Sequence, residues 1–297
     1  MIRWNKFEIK NDKTLGALLV LPIIIWLVVV FLYPFLNTFY FSMTDQRLIG
    51  SNANFVGLAT FWNILIQEDF WIALYNTMVW TVSSVTLQVL LALMAALLLN
   101  QQFWGRNFFR TWIILPWAIP YSVIAVIARW MCSSTFGVIN WVLIQIGLIS
   151  EPLNFLGSLD LAMITSIMVN VWKWFPFVAV TYLAVLQGIP EELYEAARID
   201  GCNVWQEFIY VTLPSLRISI GTTTLLMTFW NFNTFGLNWL LTAGGPATAT
   251  TTLPILVYKK AFQSFRMGEA SGLSVLMFII LLVYTIFYNK LTQKEKV

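Results

Sequence analysis

Few side chains in this sequence are suited to catalysis. The chain contains no histidine, so the commonest general base and metal ligand is missing. No glycine-rich stretch ends in Gly-Lys-Ser or Gly-Lys-Thr, the pattern that holds nucleotide phosphates. We therefore predict no catalytic residue, no metal site and no cofactor in this chain. Any ATP-driven work would need a separate ATPase polypeptide.

The most informative motif is a polar loop that separates two long apolar runs. It contains Glu195, Ala196 and Ala197, followed by Gly201. Pro190 suits the first turn of a helix, and Gly201 can end that helix in a left-handed conformation. Small residues let another protein approach closely, so we predict a short amphipathic helix that docks a soluble partner. The alternative is a helix that rests on lipid headgroups.

Long uncharged runs predict an all-α integral membrane protein. The chain is 59% hydrophobic and 10% charged, far from the balance of a soluble domain. A transmembrane helix needs roughly 20 predominantly apolar residues. We predict about six such spans, at Leu15–Met43, Ile72–Asn100, Asn107–Met131, Leu161–Gln187, Phe208–Asn233 and Ala270–Asn289. The first apolar run is too long for a signal peptide, so we expect it to remain as an anchor.

The placement of lysine and arginine predicts the orientation in the membrane. Positive charge is concentrated in both tails and in the loop after the second span, at Arg3, Lys6, Lys10, Lys13, Arg106, Arg110, Lys290, Lys294 and Lys296. Both termini and the Glu195 loop are therefore expected to face the cytoplasm. The net charge of +3 is what cytoplasmic loops contribute and indicates no nucleic-acid partner.

Several motifs stand in a characteristic order along the chain. Besides the Glu195 loop and the Val211–Pro214 segment that follows it, they are Phe55-Val56-Gly57-Leu58, Leu115-Pro116-Trp117-Ala118-Ile119-Pro120, Asn170-Val171-Trp172, Phe229-Trp230-Asn231-Phe232-Asn233 and Leu241-Thr242-Ala243-Gly244-Gly245-Pro246. Together they resemble ABC-importer permeases of the sugar type, the maltose and glycerol-phosphate permease family. Val211 departs from the isoleucine usual in that family.

The resemblance implies a type I ABC importer permease in a bacterial inner membrane. Its transmembrane domain would cover 14–291, with cytoplasmic tails at 1–13 and 292–297 and a coupling loop at 189–207. The implied partners are membrane lipid, a second and non-identical permease subunit, two copies of an ATP-binding subunit that hold ATP and Mg, and an extracytoplasmic sugar-binding protein. The residues that the resemblance assigns to ATPase coupling are Glu195, Ala196, Ala197, Asp200 and Gly201.

Polar and aromatic residues inside the spans predict a sugar path. Polar groups within a membrane are expensive and tend to face a water-filled cavity, and aromatic rings suit the apolar face of a sugar. The resemblance places the substrate site at Trp117, Tyr121, Asn170, Lys173, Trp174, Trp230, Asn231 and Thr234. The alternative for any one tryptophan is the aromatic belt at the membrane interface.

Lys173 is the most unusual of these residues, because a charge at that depth costs about 2.5–3.5 kcal/mol on insertion scales. Three groups could offset this cost. They are a carboxylate of the partner permease, an acidic group on the substrate, and the outer interface, reached by a snorkelling side chain.

Other classes of protein remain as alternatives. An ion-driven secondary transporter would need buried acids, and every aspartate and glutamate here maps to a loop or a helix end. An intramembrane enzyme would need a cluster of reactive groups, and a related permease for amino acids or phosphate would share the coupling loop. On the outer side, Lys259, Lys260 and Arg266 are expected to lie on a solvated linker. A weaker hypothesis has this linker and Asp45–Phe70 contact the binding protein.

Overall fold

The computed structural model describes residues 12–49 and 53–294. Over those residues the chain is helical, and its β pairing there is an isolated antiparallel bridge between Thr44 and Phe55. The helices are α1 (12–42), α2 (Ala59–Leu65), α3 (Glu68–Asn100), α4 (Arg106–Trp112), α5 (Leu115–Ala118), α6 (Tyr121–Met131), α7 (Val138–Gln145), α8 (Leu161–Gln187), α9 (Glu191–Ile199), α10 (204–232), α11 (Gly236–Thr242), α12 (253–263) and α13 (Met267–Lys294). The predicted all-α fold is confirmed. Of the predicted tails, 1–11 and 295–297 lie outside the described residues.

The helices that are long and apolar enough to cross a membrane match four of the predicted spans. They are Leu19–Ser42, Glu68–Asn100, Leu161–Gln187 and Met267–Lys290. A fifth candidate is the bent pair Arg106–Ala118 and Tyr121–Met131. The predicted fifth span falls in α10, which has the length of a span but includes Arg217 and a run of threonines. A total of six spans therefore stays a prediction.

The predicted span from Asn107 to Met131 is broken near Pro120. The chain forms α4, α5 and α6, and the two halves of the pair meet at 97°. Pro120 has no N–H to donate and favours an extended residue before it, and Ile119 has a ψ of 133°. Pro116 lies in the first turn of α5, where a missing N–H costs no helical hydrogen bond. Pro120 therefore stands at the sharp bend in an apolar run of span length.

Helices α3, α8 and α10 pack against one another along the centre of the molecule. On α3, Ala92 and Ala96 are fully buried, and they face a cluster that includes Tyr182 of α8 and Leu216 and Met227 of α10. Small residues let helix backbones approach closely in a membrane. This packing positions the polar and aromatic side chains that the sequence predicts to form a site.

A second cluster holds α2, α12 and α13 together at one end of the bundle. Gly272 of α13 lies against α2 so closely that a Cβ there would stand 2.7 Å from Ile64 Cδ1. Helix α1 meets the rest of the chain mainly along α13, where Phe35 and Phe39 contact the ring of Phe278 edge-on. The residues from Leu19 to Leu32 are exposed, as expected for a helix that faces lipid.

The loop between α11 and α12 is tied to the bundle by hydrogen bonds. Asn76 of α3 donates through Nδ2 to Thr248 O at 2.9 Å and to Thr251 O at 3.1 Å. Thr251 Oγ1 donates to Gly244 O at 2.8 Å and accepts from Lys259 Nζ at 3.1 Å. Gly244 has a φ of +87°, which glycine adopts without the steric penalty of a side chain. The loop is therefore part of the fold.

The prediction that Lys259, Lys260 and Arg266 lie on a solvated linker is wrong for Lys259 and Lys260. Lys259 bonds to the loop itself, and Lys260 Nζ lies 2.7 Å from Gln67 Oε1 and 3.5 Å from Glu269 Oε2. Arg266 pairs with Glu269 at 2.9 Å but is half exposed. The sequence could not indicate these partners because the loop and the start of α3 meet only in the folded chain.

Replacing Gly244 by alanine should destabilise the protein more than replacing a glycine of similar backbone conformation. A Cβ at Gly244 would stand 2.6 Å from Thr251 Oγ1 and 2.9 Å from Lys259 Nζ, whereas one at Gly147, with a φ of +74°, would meet nothing within 4 Å. A left-handed alanine costs about 1–2 kcal/mol, and overpacking adds about 1–3 kcal/mol. Melting temperatures in detergent should fall further for Gly244→Ala than for Gly147→Ala. Equal shifts would contradict the packing of the loop.

Candidate functional site

A cavity of about 590 Å³ opens where α6, α8 and α10 come together. Its lining combines aromatic rings with a few small polar groups, and consists of Tyr121, Trp174, Phe229, Trp230, Asn233, Thr234, Phe235 and Gly236. Four of the predicted substrate residues are among them: Tyr121, Trp174, Trp230 and Thr234. Aromatic faces with a few placed polar groups are typical of small-molecule sites.

The aromatic rings of the cavity contact one another in a continuous wall. The ring centroid of Trp174 lies 4.9 Å from that of Trp230, and Trp174 Nε1 donates to the Tyr121 hydroxyl at 3.1 Å. The ring centroid of Phe177 lies 5.5 Å from that of Trp230, and the Phe177 ring stacks on the Trp117 ring with centroids 5.7 Å apart. Trp117, which was predicted to line the site, is thus joined to the cavity through Phe177, and its own ring is exposed. We call these five residues the aromatic wall.

Two of the predicted substrate residues, Asn170 and Asn231, do not face the cavity in this conformation. Asn170 Nδ2 donates to Asn231 Oδ1 at 2.6 Å, and Asn231 Nδ2 donates to Gln88 Oε1 at 3.0 Å. The three amides link α8, α10 and α3 and are almost fully buried. Trp80 adds a bond from its Nε1 to Asn231 O at 3.1 Å. We call Gln88, Asn231 and Asn170 the amide chain.

The amide chain has an unused polar atom at each end. Gln88 Nε2 and Asn170 Oδ1 are buried without a hydrogen-bond partner, and the nearby hydroxyl of Ser84 on α3 is in the same state. A buried polar group without a partner costs about 1–3 kcal/mol.

Lys173 has partners that the sequence did not suggest. Its Nζ donates to Ile119 O at 2.6 Å and to Trp117 O at 3.1 Å. It also lies 4.9 Å from the centroid of the Tyr121 ring. The side chain is 5% exposed, so it is turned into the chain and does not snorkel outward. Within this subunit, backbone carbonyls offset the charge.

Sequence reasoning missed Gln88, Phe177 and Phe229. Gln88 lies in the uncharged run between Asp69 and Arg106, and an amide in the middle of a span is a signal that could have found it. Phe177 gave no such signal, because an isolated phenylalanine in an apolar run is indistinguishable from a residue that faces lipid. Phe229 stands in one of the motifs, but its residue type alone does not separate a site residue from a packing residue. Only the packing of α8 against α10 brings Phe177 to the aromatic wall and Phe229 to the cavity.

The predicted docking loop forms α9, a helix that protrudes from one end of the bundle. The predicted C-terminal signal is confirmed: Gly201 has a φ of +83°. Cys202 N donates to Ala197 O at 2.9 Å and Gly201 N to Arg198 O at 3.0 Å. This pair of bonds is the Schellman motif, which satisfies the last carbonyls of a helix.

Helix α9 is anchored to the bundle on one side only. The Tyr194 hydroxyl bonds to Thr212 Oγ1 at 3.0 Å, and Arg198 Nε donates to Glu207 Oε1 at 3.0 Å. The pKa of Arg198 is raised above its usual value, chiefly by this hydrogen bond to Glu207. α9 therefore keeps a fixed position relative to α10.

The opposite side of α9 is free within this chain. Glu195 and Ala196 are exposed, as are Asp200 and Gly201, and Ala197 is half buried. Ile199 is 86% exposed and Val204 83%, which makes an apolar surface beside the small residues. Exposed apolar side chains next to small residues are typical of a protein contact.

Comparison with known proteins identifies the family. Residues 88–296 match the family described as "Binding-protein-dependent transport system inner membrane component". The chain is 34% identical over 289 residues to the trehalose/maltose transport system permease protein of Thermococcus litoralis, covering 96% of each chain. The chain belongs to the binding-protein-dependent permease family. It is also 31% identical over 294 residues to the sulfoquinovosyl glycerol transport system permease protein of Agrobacterium fabrum, covering 99% of this chain and 95% of that one.

A solved structure shows the same fold in this permease family. It is a bacterial ABC transporter that imports the acidic polysaccharide alginate, with a TM-score of 0.81, 26% identity, and coverage of 96% of this chain and 97% of that one. The chain is therefore a multi-pass permease of the type I ABC importer fold, and in this family ATP hydrolysis belongs to a separate subunit. This decides against the ion-driven transporter and the intramembrane enzyme, which the sequence left as alternatives.

The effects on stability of substitutions at Gln88 and Asn231, two residues of the amide chain, should be coupled. Leucine at Gln88 or Asn231 removes their shared hydrogen bond, which in membrane proteins is worth on average about 0.6 kcal/mol and at most about 1.7 kcal/mol. A double-mutant cycle of Gln88→Leu and Asn231→Leu, followed by unfolding in detergent, should give a coupling energy in that range.

The matched control for this cycle is Thr222 on α10, which is exposed and bonds only to its own helix at Ile218 O. A cycle of Thr222→Val with Gln88→Leu should give additive effects. Additivity in the Gln88 and Asn231 cycle as well would show that the buried bond does not exist in the protein.

Proposed function

We propose that this permease subunit carries a sugar or sugar derivative into the cytoplasm by alternating access. The observation that carries the proposal is the cavity lined by Tyr121, Trp174, Trp230 and Thr234. Stacked aromatic faces bind the apolar side of a sugar ring, and hydroxyls and amides bind its hydroxyl groups. The names of the relatives support this class of cargo, because they include trehalose/maltose, sulfoquinovosyl glycerol and alginate.

The proposed substrate site has two layers. Trp117, Tyr121, Trp174, Trp230 and Thr234 form the outer layer, which faces the opening in this conformation. Asn170 and Asn231 form an inner layer that exchanges its mutual hydrogen bonds for bonds to sugar hydroxyls when α8 and α10 separate. The unused atoms of the amide chain support this exchange, because a new partner would remove the cost of burying them.

The proposed motor contact lies on α9, at Glu195, Ala196, Ala197, Asp200 and Gly201. This helix would rest in a cleft of an ATP-binding subunit that holds ATP and Mg. Its anchoring by Tyr194 and Arg198 supports the proposal, since a coupling element must transmit movement to the span that follows it. We place α9 and both termini on the cytoplasmic side.

The proposed assembly contains a second, non-identical permease subunit, two copies of the ATP-binding subunit and an extracytoplasmic sugar-binding protein. One relative has been solved with such a partner, since the alginate transporter was also captured in complex with its alginate-bound periplasmic protein. Residues 45–49 and 53–70, the described parts of the segment from Asp45 to Phe70, lie at the end of the bundle opposite α9. We propose this segment as part of the surface that receives the binding protein.

Replacing Trp230 by leucine should weaken sugar transport. The change removes a ring that contacts both Trp174 and Phe177, and aromatic contacts are worth about 0.5–1.5 kcal/mol, roughly a threefold to tenfold effect. Trp172→Leu is the matched control, because Trp172 is 44% exposed compared with 39% for Trp230 and is not in the cavity lining. Uptake of labelled sugar by the reconstituted transporter should fall for Trp230→Leu only. Equal losses would argue against the cavity as the sugar path.

Two substitutions at Gly201 should separate backbone conformation from side-chain size in the coupling loop. A Cβ at Gly201 meets nothing within 4 Å, so strain at the positive φ is the main effect within this chain. Asparagine tolerates that conformation and β-branched valine does not. Substrate-stimulated ATPase activity should be lost in Gly201→Val and retained in Gly201→Asn. Full activity in Gly201→Val would count against the docking role.

A further inference from the structure

The bend between α5 and α6 leaves backbone carbonyls without their helical partners. Pro120 has no N–H, and Ile119 N reaches back to Pro116 O at 3.4 Å. In the described part of the chain, no backbone N–H donates to Trp117 O or Ile119 O. In lipid, such groups must be satisfied by the protein itself.

Lys173 meets both of these carbonyls. Its Nζ lies 2.6 Å from Ile119 O and 3.1 Å from Trp117 O, which are the carbonyls on the α5 side of the bend. The same amine lies 4.9 Å from the Tyr121 ring, which is on the α6 side. One cation on α8 therefore contacts the chain before and after the break. The carbonyl end of a helix is also the negative end of its dipole, which favours a cation.

We infer that Lys173 is a positioning residue that holds the α5–α6 bend and thereby sets the places of Trp117 and Tyr121 in the aromatic wall. Its charge is used within the subunit and does not select an acidic cargo. This inference deepens the proposed function, because it concerns the wall of the proposed sugar site. It also accounts for a lysine in a span without a carboxylate nearby: among the described residues, no ion pair involves Lys173.

The shape of the bend can be measured without any sugar. The rings of Trp117 and Phe177 stack with centroids 5.7 Å apart, so cysteines at these two positions should be joined by a short thiol crosslinker. Cys132 and Cys202 are first replaced by serine. The crosslink yield in the assembled transporter then reports how closely α5 lies against α8.

The crosslink yield should fall about tenfold or more in Lys173→Met. The variant loses both hydrogen bonds from the charged amine, and even one such bond shifts a two-state equilibrium by about that factor. Lys173→Arg keeps the positive charge and the hydrogen-bond donors, so it should retain most of the crosslink yield. It should also retain most of the sugar uptake, which is measured in a transporter without the two introduced cysteines. Lys259→Met is the matched control, since Lys259 bonds to the loop at Thr251, and it should leave the yield unchanged.

An unchanged yield in Lys173→Met would overturn the inference, and lost uptake with an unchanged yield would indicate that the lysine binds the cargo directly. If the Lys173→Met transporter does not assemble, Lys173→Gln is measured instead, because the glutamine amide can still donate to a carbonyl. An assembled Lys173→Gln transporter that keeps its crosslink supports the inference. A Lys173→Gln transporter that fails to assemble, as Lys173→Met does, overturns it. Because the yield needs no substrate, it stands even if the cargo is not a sugar.

Discussion

The structure depends on one constraint of membrane proteins, that every backbone polar group inside the bilayer must find a partner within the protein. The chain breaks helical hydrogen bonding between Ala118 and Tyr121, where Pro120 stands at a 97° bend. Lys173 of the neighbouring helix α8 supplies the missing donors. Proline, broken helix and buried lysine are thus parts of one arrangement. Without the lysine, the prolines would leave carbonyls exposed to a medium that cannot bind them.

The same region, at the centre of the bundle, contains both the aromatic wall and the amide chain. The aromatic wall is open to a cavity, whereas the amide chain is buried and bonded to itself. Under the proposed exchange, the amides that bind one another here would bind a ligand in a second conformation, so ligand binding would shift the population between the two conformations. Helix α10 joins this centre to α9. Glu207 in the first turn of α10 pairs with Arg198 of α9, and Trp230 and Asn231 lie near the other end of α10.

Local signals in the sequence predicted the elements that depend on local physics. Gly201 ends α9 as expected, because a left-handed C-terminus is decided by a few adjacent residues. The spans of α1, α3, α8 and α13 follow from apolar length alone. Pro116 and Pro120 marked the break in the third apolar run, since a proline interrupts helical hydrogen bonding. The 97° angle between the two halves depends on packing that the sequence does not show. The carbonyls that bind Lys173 and the side-chain amides that bind Asn231 lie more than 50 residues away in the chain, and only packing brings them together.

The most direct test of the account is a crosslink from the protruding surface of α9. A photoreactive amino acid at Ile199, which is 86% exposed, can be introduced without disturbing the fold and activated in membranes that contain the intact transporter. We expect the main product to join this chain to a nucleotide-hydrolysing subunit, and we expect the crosslink yield to change when ATP is added. Products with lipid alone, or with a protein that binds no nucleotide, would contradict the claim that a separate motor drives this permease through α9.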